Sequence, residues 1–108
     1  MNDTLKSLYD IILKRKNNPA EGSYTNYLFG QGLDKILKKC GEECAEVIIA
    51  AKNNERSEII TEMADLIYHL TVLMAQTEIK IEDISAELNA RSAKIGNLKE
   101  IKNVDKNT

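Results

Sequence analysis

Two long helical patterns meet at one polar break, Lys52-Asn53-Asn54-Glu55-Arg56-Ser57, and that break constrains the fold more than any other stretch. Before it, Leu33, Ile36, Leu37, Cys40, Cys44, Val47, Ile48 and Ala51 recur at three- and four-residue spacing, which predicts a helix from about Leu33 to Ala51. After it, a second pattern runs from Glu55 or Ser57 to Gln76. A connection this short predicts an antiparallel helical hairpin. From Leu66 to Thr77 the second helix carries no acidic or basic side chain except His69. A helix apolar nearly all round must be buried nearly all round. One thin hairpin cannot cover it, so a homodimer with this helix near the interface is expected.

The hairpin aligns two acidic pairs. Glu43 and Asp65 are each eleven residues from Asn54, and Glu46 and Glu62 are each eight residues from it. Folding the chain back at Asn54 brings Glu43 level with Asp65 and Glu46 level with Glu62, one helical turn apart. On a helical wheel Lys39, Glu43 and Glu46 flank the apolar stripe, with Lys35 and Glu42 further round. A single Glu-x-x-Glu on a charged helix is commonplace and usually solvated. Glu62 and Asp65 differ because they sit on the most apolar helix in the chain. Four carboxylates in a half-buried cluster repel one another unless a cation neutralises them or some stay protonated. An all-oxygen set suits Mg²⁺, or Mn²⁺ in its place, over Zn²⁺. A di-iron site would want Glu-x-x-His on two helices, whereas His69 follows Asp65 by four. His69 is expected as a core histidine bonded to Asp65 or to a backbone group.

The rest of the chain fits an all-α bundle built on that hairpin and completed by dimerisation. A first helix is expected from Thr4 to Lys16, with Leu5, Leu8 and Ile12 on one face and Lys14-Arg15-Lys16 at its end. Pro19 to Gly32 is irregular; Ser23 or Thr25 is positioned to cap a short helical turn through Phe29, with Gly30 and Gly32 ending it. A last helix from Ile81 to Ile95 places Ile84 and Leu88 inward, and Gly96 stops it. These elements make one all-α domain over 1–96, and 97–108 is a polar tail. One Pro and five Gly in 108 residues agree with helix throughout.

Charge and cysteine content exclude several functions. A net charge of −2 offers no global basic field for nucleic acid. No apolar run approaches membrane-spanning length, and the chain opens directly on an amphipathic pattern, so a cytoplasmic protein is expected. Cys40 and Cys44 lack the partners of a Zn site and read as small reduced thiols. With one histidine, no Ser/His/Asp or Cys/His constellation assembles, and no P-loop or dinucleotide fingerprint is present. A hard cation held by carboxylates near Lys35, Lys38 and Lys39 points to a phosphate-bearing substrate. Such a cation bridges phosphate oxygens, activates a water and stabilises a leaving pyrophosphate.

Three stretches carry a family resemblance: Gly22-Ser23-Tyr24-Thr25-Asn26-Tyr27-Leu28, Lys38-Lys39-Cys40-Gly41-Glu42-Glu43, and Glu62-Met63-Ala64-Asp65-Leu66-Ile67-Tyr68-His69-Leu70. With Glu-Glu-x-x-Glu followed by Glu-x-x-Asp, the chain resembles the all-α nucleotide pyrophosphohydrolase superfamily that includes MazG-type enzymes. Within it, the Ser-Tyr-Thr loop most resembles the phosphoribosyl-ATP pyrophosphohydrolases, over about Leu5 to Arg91. The resemblance implies Mg²⁺-dependent hydrolysis of phosphoribosyl-ATP to phosphoribosyl-AMP and pyrophosphate, the second step of histidine biosynthesis. It implies Glu43, Glu46, Glu62 and Asp65 as metal ligands, Glu42 as a supporting acid, Lys39 on a phosphate, and Ser23, Tyr24 and Thr25 lining the pocket. Lys35 joins them as a candidate substrate contact. The alternatives are a house-cleaning (d)NTP pyrophosphohydrolase with the same metal site, or a non-enzymatic helical dimerisation module.

Overall fold

The computed structural model describes residues 2–95, which form five α-helices and, among the described residues, no strand. These are α1 (Asn2–Asn17), α2 (Tyr24–Gln31), α3 (Leu33–Lys52), α4 (Arg56–Gln76) and α5 (Ile81–Ile95). The all-α expectation holds, and the predicted hairpin is the α3–α4 pair, which makes the most extensive interface in the chain. α1 packs on α4, α2 touches α1, α3 and α4, and α5 meets α1. The predicted polar tail lies outside the described residues.

Local chemistry explains several of the helix ends. Ser23 caps α2, its side chain accepting from the Asn26 N–H. Gly30 stays inside α2, and Gly32 ends it at φ 91°, ψ −177° while also serving as the N-cap of α3. That conformation is essentially restricted to glycine. At the hairpin turn Asn54 takes φ 55°, a left-handed value that asparagine tolerates better than most residues. α4 ends with Glu78 left-handed at φ 60°. There the Ile79 N–H reaches back to the Met74 carbonyl at 2.8 Å and the Glu78 N–H to the Ala75 carbonyl at 3.3 Å, which satisfies carbonyls the helix leaves orphaned. Asp83 then accepts from the Lys80 N–H at 3.0 Å and starts α5.

The core gathers Tyr9 and Ile12 of α1, Leu28 of α2, Ile36 and Cys40 of α3, and Val72 and Ala75 of α4. Side chains cross-link it. The Tyr9 hydroxyl donates to the Ile79 carbonyl at 2.9 Å, and Lys16 Nζ donates to the Ala75 carbonyl at 2.9 Å. The end of the basic Lys14-Arg15-Lys16 cluster therefore serves the C-terminus of α4.

Burial departs from the sequence pattern on three helices. On α3, Ile36, Cys40 and Ala50 are buried, whereas Leu33, Leu37, Cys44, Ile48 and Ala51 are exposed. At about 100° per residue, Ile36, Cys40 and Val47 share one side, while Leu33, Leu37, Cys44 and Ile48 lie within about 60° of one another on the next flank. One neighbouring helix covers only the first. On α4, His69, Thr71, Val72 and Ala75 are buried, but Ile60, Met63, Ile67 and Leu70 form an exposed stripe. Ile84 and Leu88 of α5, expected inward, are exposed because α5 meets little beyond α1. The radius of gyration, 16.3 Å, exceeds the roughly 13 Å of a compact domain this size.

Candidate active site

The hairpin brings three of the four aligned carboxylates together. One oxygen each from Glu43, Glu62 and Asp65 lies within 4.8 Å of the others. Glu43 and Glu62 are half-buried at the α3–α4 seam and Asp65 is exposed. Glu46 does not join the cluster, although it lines the same cleft and its charge acts on Glu62. Glu43 is half-buried and Glu46 exposed.

These groups line a cleft of about 470 Å³ together with Lys39, Glu42 and Ala45. Lys39 Nζ lies 3.5 Å from Glu42 and 3.7 Å from Glu43. Burial works against the Lys39 ammonium, but Tyr24, Glu42 and Glu43 outweigh it and hold the group above its ordinary range. Glu62 is pushed above the usual carboxylate range, first by desolvation and then by Asp65, Glu43 and Glu46. The cluster is therefore an electrostatically unfavourable gathering of acids that a cation relieves.

The donor set fits a hard divalent ion. Magnesium takes oxygens at about 2.1 Å, so ligands across it stand about 4.2 Å apart. The present spread of 4.8 Å closes to that with a shift of about half an ångström. No thiol or imidazole belongs to the cluster, and Cys40, whose thiol is raised by burial and by Cys44, is buried in the core.

The predicted substrate loop sits beside this cleft, on α2. Asn26 staples it: its side-chain oxygen accepts from the Ala20 N–H at 2.7 Å, and its amide donates to the Arg15 carbonyl at 2.6 Å. Tyr24 Oη lies 3.0 Å from His69 Nε2, and Thr25 Oγ1 bonds to Tyr68 Oη at 2.5 Å. The Tyr24 phenol is raised by burial and by Tyr68, Glu43 and Tyr27, with Lys39 opposing, so the loop and the acidic cleft act on each other. A second hollow of about 560 Å³ is lined by Glu21, Ser23, Tyr24, Asn26 and Tyr27, where the Tyr24 and Tyr27 rings stack with centroids 6.0 Å apart. Lys35 lies 5.9 Å from the Tyr27 ring centroid, outside the acidic cleft. Sequence reading did not find Asn26 or Tyr68. Their partners lie on other elements, and no local pattern announces such pairs.

Known proteins resemble this chain in sequence. The family model described as phosphoribosyl-ATP pyrophosphohydrolase matches residues 5–92. A phosphoribosyl-ATP pyrophosphatase of Clostridium novyi is 57% identical over 97 residues, covering 90% of this chain and 88% of that protein. One of Streptococcus thermophilus is 55% identical over 100 residues, 93% of this chain and 96% of that protein. One of Bacillus thuringiensis is 50% identical over 105 residues, 97% and 98% of the two chains.

Proposed function

The chain belongs to the phosphoribosyl-ATP pyrophosphohydrolase family, and from that premise we propose that it hydrolyses phosphoribosyl-ATP to phosphoribosyl-AMP and pyrophosphate in histidine biosynthesis. The observation that carries the mechanism is the trio of carboxylate oxygens within 4.8 Å at the hairpin seam. Glu43, Glu62 and Asp65 would hold a magnesium ion, with manganese as a substitute, and Glu46, which lines the same cleft, would be a fourth ligand. When bound, the cation supplies Lewis acidity toward phosphate oxygens and toward a water.

The protein's own residues do the rest. Glu42, exposed at the rim and within ion-pair distance of Lys39, takes a proton from the attacking water. Lys39 meets the substrate's phosphate charge, since its ammonium already faces the cleft between two carboxylates. Ser23, Tyr24 and Thr25 flank the nucleotide, and Lys35 stands over the ring of Tyr27, which lines the adjoining hollow. The hydrolysis breaks one phosphoric anhydride bond, and water supplies the oxygen and both protons that the two products carry away.

Among the described residues no helix is long and apolar enough to cross a membrane. A cytoplasmic setting agrees with that and with a small-molecule nucleotide substrate. The uncovered stripes on α3 and α4 support a homodimer. The test is pyrophosphate release from phosphoribosyl-ATP with and without Mg²⁺. Metal-dependent release is expected. Turnover of deoxynucleoside triphosphates instead, with phosphoribosyl-ATP untouched, would overturn the substrate.

A further inference from the structure

His69 is 5% exposed, on a helix that otherwise buries small or apolar groups, and both its ring nitrogens are engaged. Nδ1 lies 2.7 Å from the Asp65 carbonyl oxygen, one turn back on α4. A carbonyl can only accept, so Nδ1 carries the hydrogen. In the neutral ring that leaves Nε2 as an acceptor, and the Tyr24 hydroxyl, 3.0 Å away, donates to it. The next residue along α2, Thr25, bonds to Tyr68, the residue before His69. Two consecutive residues that open α2 thus meet two consecutive residues of α4, in reverse order. The Tyr24 and Tyr68 rings both stand edge-on to the imidazole, at 5.8 Å and 5.0 Å between centroids.

This arrangement has one mechanical effect. Asp65 supplies a carboxylate to the acidic cluster and a backbone carbonyl to His69. The chain from Asp65 through His69 to Tyr24 therefore fixes the Ser23–Thr25 segment against the turn that carries a cluster carboxylate. Ser23 and Asn26 order α2 internally and against α1, but neither refers it to the cleft. We propose that His69 is a positioning residue for the reaction, acting through Tyr24, with Tyr68 and Thr25 as the second arm of the same latch. This rests on the functional reading above. His69 touches neither cation nor substrate; it sets the fraction of molecules in which the Tyr24 segment is already placed for binding. Losing the latch lowers that fraction, so apparent affinity falls while the chemical step is spared.

The test compares wild type with Tyr24→Phe, His69→Phe, His69→Gln and the double Tyr24→Phe/His69→Phe protein. Two readouts are taken: KM and kcat for phosphoribosyl-ATP, and amide exchange of α2 without substrate. Each Phe variant is expected to raise KM about fivefold, the worth of one net hydrogen bond, with kcat within about twofold of wild type. The double variant does no further damage, because both changes remove the same bond. His69→Gln restores KM to within about twofold of wild type, its side-chain oxygen standing in for Nε2. Exchange across α2 quickens by a similar factor in the Phe variants and recovers in His69→Gln. A lower melting temperature with KM unchanged means that His69 only fills the core, and overturns the proposal. Additive losses in the double variant, or a fall in kcat alone, overturn it as well. Should His69→Phe fail to fold, Tyr24→Phe and His69→Gln carry the same comparison. A wild-type protein that ignores phosphoribosyl-ATP refutes the functional reading, and amide exchange still decides the latch.

Discussion

Replacing Ile67 tests whether the uncovered face of the hairpin is an interface between two copies of the chain. Leu33, Leu37, Ile48, Ile60, Met63, Ile67 and Leu70 are between 37% and 63% exposed. Burying the open half of such a side chain is worth roughly 1 kcal/mol. Seven from each copy give on the order of 14 kcal/mol, against about 4–15 kcal/mol of lost translational and rotational freedom. Every residue of a two-fold interface counts twice. Ile67→Ala therefore removes about 2 kcal/mol and weakens dimerisation roughly 30-fold. Ile67→Glu buries two unpaired carboxylates at a cost of several kcal/mol each, which leaves the protein monomeric at micromolar concentration. Sedimentation equilibrium reads this directly: the wild type should show about twice the 12.1 kDa of the single chain. A wild type that stays at 12.1 kDa near 100 µM, or an Ile67→Glu protein with wild-type mass, refutes the reasoning. Ile67 lies on the flank away from the carboxylates, so Ile67→Ala should keep its response to metal.

Three further outcomes are expected. Saturating Mg²⁺, at about 100 times its dissociation constant, should add about 2.7 kcal/mol of stability, or on the order of 10–20 °C in Tm for a domain of this size; a chelator reverses it, Asp65→Asn and Glu43→Gln abolish it, Glu46→Gln keeps part of it, and a wild type indifferent to metal counts against the cluster. For pH, the folded-state value of Glu62 is raised, so the folded chain holds a proton that the unfolded chain has released. The Glu62 contribution to the stability of the metal-free protein should then be fully present below the unfolded value and be lost as pH rises through the raised one, a slope that Glu62→Gln flattens in thermal melts across the acid-to-neutral range and whose persistence in that variant would assign it to another group. Tyr9→Phe removes the hydroxyl donated to the Ile79 carbonyl and should cost about 1 kcal/mol, or roughly 4–8 °C in Tm; calorimetry showing no change would mean that this bond does not anchor the approach to α5.

What could be read in advance divides along physical lines. The start of α5, the Ser23 cap and the turn at Asn54 follow from local chemistry, and the structure places them where the residues ask, while the expected stop at Gly96 lies outside the described residues. The level of each carboxylate on its helix was legible too, because rise per residue is constant. Which oxygens come within reach of one another was not, since that depends on how α3 meets α4, and Glu46 stands outside the trio. Ile84 and Leu88 look like a core face in any helical wheel, but periodicity names a face without naming what covers it. The Tyr24–His69 and Thr25–Tyr68 bonds join residues 45 and 43 apart in sequence. Only the fold brings them together.

Gly32 gives α2 an unusual kind of leverage. With no residue between them except this shared cap, the direction of α2 relative to α3 hangs on one φ/ψ pair. The eight residues of α2 make an arm about 12 Å long, so a 10° rotation at Gly32 swings Tyr24 by about 2 Å, enough to part a hydrogen bond. A Cβ added at Gly32 would meet nothing within 4 Å. The demand for glycine is thus purely torsional: any other residue would fit the space and pull the fulcrum toward a different angle. The loop beside the cleft is aimed from its far end.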